Sequence, residues 1–172
     1  MDPNQITEMN AILDVWYGKK YSIASCVRFS TWIDGNPIGV RITKLPVQAK
    51  YEPGMFYRRE LPCLMHALQR ESMKFNTLII DGYVHLKPPR NKGLGLHLAE
   101  SLGYEAVIIG VAKNPLTEAD RYSSIYRGKS KKPLFISAFN MSLSRAADLI
   151  GSMHGEYRIP TLIKMADTLC RE

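Results

Sequence analysis

The sequence predicts an α/β fold: a mixed sheet of three antiparallel strands followed by parallel strands, flanked by helices. Two observations carry that expectation. Three consecutive apolar, β-branched segments joined by short turns come first, and short buried strands alternating with helical periodicity follow. Residues 11–17 (AILDVWY) form the first strand, apolar and aromatic with one acid in its middle. The link at 18–20 is short, as an antiparallel hairpin needs, and residues 21–32 (YSIASCVRFSTW) form a longer strand. Asp34-Gly35 then turns the chain into a third strand at 37–43 (PIGVRIT), completing a meander.

The period changes after Pro62. Leu64, Ala67 and Leu68 recur at helical spacing, which predicts a helix from Pro62 to about Met73. Residues 77–81 (TLIID) are a short strand ending in an acid, 93–102 a second helix, and 106–111 (AVIIGV) another buried strand. Two strands separated by a helix imply parallel pairing. Residues 134–137 read as a minor strand. Ser142 caps a helix whose apolar face is Ala146, Leu149, Ile150 and Met153, and Pro160 opens a last helix carrying Leu162, Ala166 and Leu169. The order resembles a ribonuclease H-like α/β fold, one of several α+β layouts the pattern allows, in a single domain over residues 1–172.

Composition narrows the function classes. The chain has 172 residues, 45% hydrophobic and 23% charged, enough for a real core and too apolar throughout for disorder. No apolar run approaches the roughly 20 residues of a membrane span. The N-terminal MDPNQITEMN lacks the basic-then-apolar layout of a secretory signal. Cys26, Cys63 and Cys170 are odd in number and widely spaced, which argues for a reducing compartment and against a disulfide framework or structural zinc. A cytoplasmic protein is expected. Lys plus Arg exceed Asp plus Glu by 23 to 16, and the resulting +7 suits a polyanionic partner.

Three acids stand where acids are costly. Asp14 lies mid-strand, Asp81 closes TLIID, and Glu60 sits in FYRRELP ahead of the predicted helix. Carboxylates converging on one sheet end would make a site for a hard cation, Mg²⁺ or Mn²⁺. Composition alone leaves a second reading, in which Asp14 caps a strand and Asp81 closes a turn with Gly82.

Six segments in order bear on that choice: AILDVWY, YEPGMFYRRELP, IIDGYVHLKPPRNKGLGLHL, GVAK, PLFIS and EYRIPTLIKMAD. Together they resemble the endonuclease V family, Mg²⁺-dependent, deoxyinosine-directed nucleases of ribonuclease H-like fold. The resemblance implies that Asp14, Glu60 and Asp81 ligate the metal and that Asp167, in the last acidic position, completes the ligand set. It places Lys113 near the scissile phosphate. Tyr51 becomes the wedge that stacks on unpaired bases, and Gly82 and Gly93 let the backbone approach a flipped base. Lys87, Arg90, Lys92 and the run Arg127, Lys129, Lys131, Lys132 would track phosphates, against the plainer reading of a solvated charge run.

The implied activity is nicking on the 3′ side of inosine or another base lesion in DNA, with RNA as an alternative substrate, in DNA repair. No membrane and no obligate protein partner are implied. The rival from another class is a non-catalytic nucleic-acid-binding module, for which a carboxylate cluster that repels phosphate has no use. The chain departs from the family pattern in Lys50 and Glu52 around the wedge, in Val84 where a glycine is usual, in Lys87 (or His85) for a histidine, and in one extra residue before Gly93. These changes lead us to expect weak discrimination of inosine, with Val84 narrowing the base pocket.

Overall fold

The computed structural model describes residues 8–47, 52, 53, 55–117 and 119–172. Among them, seven strands form one sheet in the order β3-β2-β1-β4-β5-β7-β6. The strands are β1 (Asn10–Tyr17), β2 (Tyr21–Phe29), β3 (Gly39–Pro46), β4 (Thr77–Asp81), β5 (Val107–Ala112), β6 (Ser123–Ile125) and β7 (Leu134–Phe139). The helices are α1 (Tyr57–Gln69), α2 (Leu94–Ser101), α3 (Leu143–Ser152) and α4 (Thr161–Leu169). β1, β2 and β3 make the expected antiparallel meander, and β1, β4 and β5 run parallel.

Period-two alternation distributes the sheet between two helical layers. Ala11, Leu13, Leu78, Ile80 and Ile108 pack against Leu64, Leu68 and Leu98 of α1 and α2. Ile12, Ile79, Ile109 and Val111 pack against Ala146, Ile150, Leu162 and Ala166 of α3 and α4. Such a sheet is buried on both faces, which is why β4 and β5 read as nearly unbroken apolar runs. Cys26, Cys63 and Cys170 are buried and unbridged. No described helix is long and apolar enough to cross a membrane.

Several expected boundaries move. α1 starts at Tyr57, so Pro62 lies inside the helix rather than opening it. The stripe Cys63, Leu64, Ala67 and Leu68 buries one face, and that burial outweighs the hydrogen bond a proline cannot donate. β2 stops at Phe29, and Trp32 turns back to meet the Phe29 ring edge-on at 5.2 Å. β3 runs three residues later than expected at its C-terminal end. β7 extends to Phe139 and pairs antiparallel with both β5 and β6. β6, only 3 residues of SSI, carries no periodicity that a sequence reading could register.

Ser25 ties the layers together. It lies opposite Asp14 in the β1–β2 ladder, and its buried hydroxyl donates to the Ala166 carbonyl of α4 at 2.8 Å. Ser25→Ala should therefore lower stability by about 1 kcal/mol in chemical denaturation. An unchanged denaturation midpoint would show that this bond does not hold α4 to the sheet.

Candidate active site

The parallel strands place three of the singled-out side chains at one edge. Leu13 is opposite Ile80 in the β1–β4 ladder, and Asp81 is opposite Val111 in the β4–β5 ladder. Asp14 follows Leu13, the last β1 residue paired with β4, and Lys113 stands two residues beyond Val111, so Asp14 lies in mid-β1 beside the carboxyl ends of β4 and β5, where open α/β sheets bind ligands. They share the strand parity of Ile12, Ile79 and Val111. Asp14, Asp81 and Lys113 line one small cavity with Ile159, Ile163 and Ala166, on the α4 side of the sheet.

Glu60 arrives from the opposite layer. Because α1 begins at Tyr57, Glu60 sits in its first turn, one turn ahead of buried Leu64. Asp14, Glu60 and Asp81 line a second cavity, of about 100 Å³, with Leu64, Leu94 and Arg171. Among the described residues, no group of three or more His, Cys, Asp or Glu side chains stands as a ready-made metal cage.

Charge is poorly balanced there. Burial first, then the Asp81 charge, pushes the Asp14 carboxyl up to about 6, against a hydrogen bond from the Val15 amide at 2.8 Å. Burial, then Asp81 and Asp14, pushes Glu60 up to about 7. Burial, then Glu60, also raises the Tyr17 phenol, which stays protonated beside that carboxyl with the Arg59 guanidinium 4.3 Å from its ring centre. Burial would lower the Lys113 ammonium, but Asp81 at 3.2 Å, then Asp167 and Asp14, outweigh it and hold Lys113 above its ordinary value.

Asp167 is differently placed. Burial pushes it up, but Arg171, Lys113 and Lys164 outweigh that and bring it below the ordinary carboxylate value. One of its oxygens faces Arg171 at 2.9 Å and the other Lys164 at 3.3 Å. It is an ion-paired neighbour of the acid cluster, its oxygens already engaged.

A cleft of about 520 Å³ opens beside the acids, lined by Glu60, Asp81 and Lys113 and by Phe56, Tyr57, Tyr83, Leu86, Leu94 and Leu116. Its size is that of a small-ligand pocket. Gly82, at φ 135°, and Gly93, the N-cap of α2, both line it. A side chain at Gly93 would overlap the Tyr83 carbonyl. Tyr57 stacks on His97 of α2 with ring centres 3.7 Å apart, bridging the first turn of α1 to α2.

Two expectations need correction, those for Val84 and Arg127. Val84 does not narrow the cleft: its side chain is fully buried among Leu98 and Ile108, and its amide donates to Ser137 Oγ at 3.0 Å. Lys87 is exposed and stands outside the lining of the cleft. Arg127 is buried, and its guanidinium donates to the carbonyls of Gly151, Met153, Gly155, Tyr157 and Arg158, so it is not a phosphate contact. Tyr51 and Lys50 lie outside the described residues. Lys92 is at the cleft but pairs with Glu100 at 2.8 Å.

The sequence reading missed the apolar lining, whose residues look like ordinary core, and Arg171. It also missed Arg158, whose Nη2 donates to the Lys113 carbonyl and, at 2.6 Å, to that of Pro133. Arg158 lies within EYRIP, but nothing in that string says which backbone it will brace.

The raised carboxyls make stability fall with pH. Folded Asp14 and Glu60 keep protons that the unfolded chain releases near pH 4, so folding is favoured most below that value. The advantage is lost as pH rises towards 6 to 7. In metal-free protein, Asp14→Asn should melt higher than the parent at pH 7.5, by about 1–2 kcal/mol, with the difference vanishing near pH 4. A variant no more stable at pH 7.5 than at pH 4, relative to its parent, would contradict this electrostatic picture.

Comparison with known proteins meets the same sheet. The family model for Endonuclease V matches residues 2–126. An Endonuclease V of Streptomyces avermitilis is 32% identical over an alignment covering 73% of this chain and 62% of that relative, so the chain spans about three-fifths of its length. A crystal structure of an Endonuclease V from Streptomyces avermitilis is 26% identical, with a TM-score of 0.76 over 96% of this chain and 80% of that one. Endonuclease V of Ciona intestinalis, in complex with a 24mer DNA containing an inosine followed by a ribo-adenosine, is 21% identical. It has the same fold, with a TM-score of 0.80 over 95% of this chain and 84% of that one. The mixed sheet is thus ribonuclease H-like, and with most of its length matched by the family model, the chain belongs to the Endonuclease V family.

Proposed function

We propose that this chain is a divalent-cation-dependent endonuclease that hydrolyses a phosphodiester bond on the 3′ side of inosine or another altered base. Its substrate is a DNA strand, with RNA the alternative, and its setting is DNA repair in the cytoplasm by one domain over the whole chain. The observation that carries this reading is the convergence of Asp14, Glu60 and Asp81 on one cavity, with Lys113 beside them and an apolar cleft adjoining. The family relationship and the inosine-containing DNA named for the Ciona intestinalis neighbour support it.

The donor set suits Mg²⁺, with Mn²⁺ as a substitute. All three side chains offer oxygen, as hard cations require. Two of them, Asp14 and Glu60, are pushed towards protonation by burial and then by the Asp81 charge, as acids short of a counter-cation are. Asp14, Glu60 and Asp81 would hold the ion, and Asp167, already paired, would add negative charge behind them. A bound ion of this kind activates the attacking water and neutralises charge on the phosphoryl oxygens.

The chain's own groups do the rest. Lys113 is held as an ammonium, so it acts as a hydrogen-bond donor to phosphate oxygens and not as a base. Arg158 fixes the Lys113 backbone through its carbonyl. The cleft excludes water on its apolar side, and Gly82, Tyr83, Leu86 and Gly93 would surround an extruded base whose edge is read by main-chain groups. With Val84 packed in the core, the base pocket keeps its room, and an inosine-containing strand should be cleaved ahead of its inosine-free match.

The test is Mg²⁺-dependent nicking of matched strands with and without inosine. Asp81→Asn should abolish cleavage while nucleic-acid binding persists, because a ligand and a charge facing phosphate are both removed. Lys113→Ala should cost roughly 10²–10³-fold in rate. Wild-type nicking by Asp81→Asn, or equal cutting of both strands, would overturn the catalytic or the specificity part of this reading respectively.

A further inference from the structure

The loop that Arg127 organises is built more firmly than a connection needs to be. Its guanidinium, buried without a carboxylate partner among the described residues, donates to five carbonyls from Gly151 to Arg158. Gly128, at φ 58°, presses on the Glu156 carbonyl so closely that a side chain there would overlap it. Ser130 closes the next turn, its amide donating to the Arg127 carbonyl at 3.3 Å. Its hydroxyl accepts from the Lys132 amide at 3.1 Å and donates to the Lys132 carbonyl at 3.0 Å.

What this scaffold presents outward is aromatic and cationic. Tyr157 is 73% exposed, and it lines a groove with Lys129, Ser130, Glu156 and Arg158. Lys131 and Lys132 are exposed on the same loop. Three lysines outnumber the one carboxylate of Glu156. The groove also adjoins the site: Arg158, part of its lining, reaches with its guanidinium to the carbonyl of Lys113. One arginine side chain separates the two.

We infer that this groove is a second nucleic-acid contact, which holds the single strand flanking the scissile phosphate by stacking a base on Tyr157 and pairing phosphates with Lys129, Lys131 and Lys132. The ligand follows from charge complementarity and from continuity with the Lys113 site, and it rests on the nuclease reading for its identity. Stacking on an aromatic ring takes any base, so this groove adds affinity without reading sequence. Rigidity of the loop matters here, because a preordered platform loses less entropy on binding.

The experiment is fluorescence polarisation with a labelled oligothymidylate of roughly 15 nucleotides, in chelator so that no cleavage is needed. Tyr157→Ala should weaken binding roughly 5- to 100-fold. Lys129→Glu with Lys131→Ala should flatten the dependence of log affinity on log salt by about 0.7 for each lysine–phosphate pair removed. Unchanged melting temperatures confirm that these exposed sites leave the fold alone. Variants that bind as the parent does, with the same salt slope, overturn the inference, as does a parent that binds no oligonucleotide. If the parent binds, the variants lose affinity and Mg²⁺ still produces no nick, the groove stands and the nuclease reading falls.

Discussion

Gathering Asp14, Glu60 and Asp81 at one end of the sheet costs free energy, because Asp14 and Glu60 lose water and both face the Asp81 charge. The fold supplies that gathering through backbone alone. β1 and β4 run parallel in a register that leaves Asp14, in mid-β1, beside Asp81 at the end of β4, and α1 carries Glu60 in on the face that buries Leu64. Ladder hydrogen bonds and core packing hold the strands and helix, and Asp81 in addition meets the Lys113 ammonium at 3.2 Å. The cost then appears as raised carboxyl pKa values, and a cation entering the cavity would relieve it. Strain of this sort is expected where function, not stability, sets the residue.

Much of the remaining architecture serves that edge. Ser25 binds α4 to β2 behind Asp14, and α4 in turn carries Asp167, whose oxygens Arg171 and Lys164 engage. Arg127 and Arg158 work in sequence: the first fixes the segment that contains the second, and the second fixes the backbone of Lys113 and the start of β7. Neither arginine faces a carboxylate in these hydrogen bonds. Both direct charge-assisted donors at carbonyls that would otherwise lack them. A basic composition therefore counts at least one cation, Arg127, that is turned inward, whereas the lysines of the 128–132 loop are exposed, as are Lys87 and Arg90.

The fold was legible where the physics is local. The apolar run of AILDVWY, β-branching in YSIASCVRF and the helical spacing of Leu64, Ala67 and Leu68 each reflect burial that the sequence itself encodes. The acids were legible because a charge in an apolar run is costly enough to demand a reason. Pro62 misled, since a proline is most at home at a helix start and only the packing of the following turns shows that this helix began five residues earlier. Val84 misled for a related reason: its place in a loop motif says nothing of which way the side chain turns, and tertiary packing sends it beneath the cleft instead of into it. Arg127 looked like one of four surface cations, and nothing short of the folded loop distinguishes the one that goes inside.

The central claim is that the three carboxylates form a cation site and not merely a costly cluster. Anomalous diffraction from crystals of this protein soaked in Mn²⁺ tests it most directly. The account expects a manganese peak at bonding distance from Asp14 and Asp81, with Glu60 turned towards it, and no such peak in Asp14→Asn. A peak elsewhere on the molecule, or none between those side chains at saturating Mn²⁺, would contradict it.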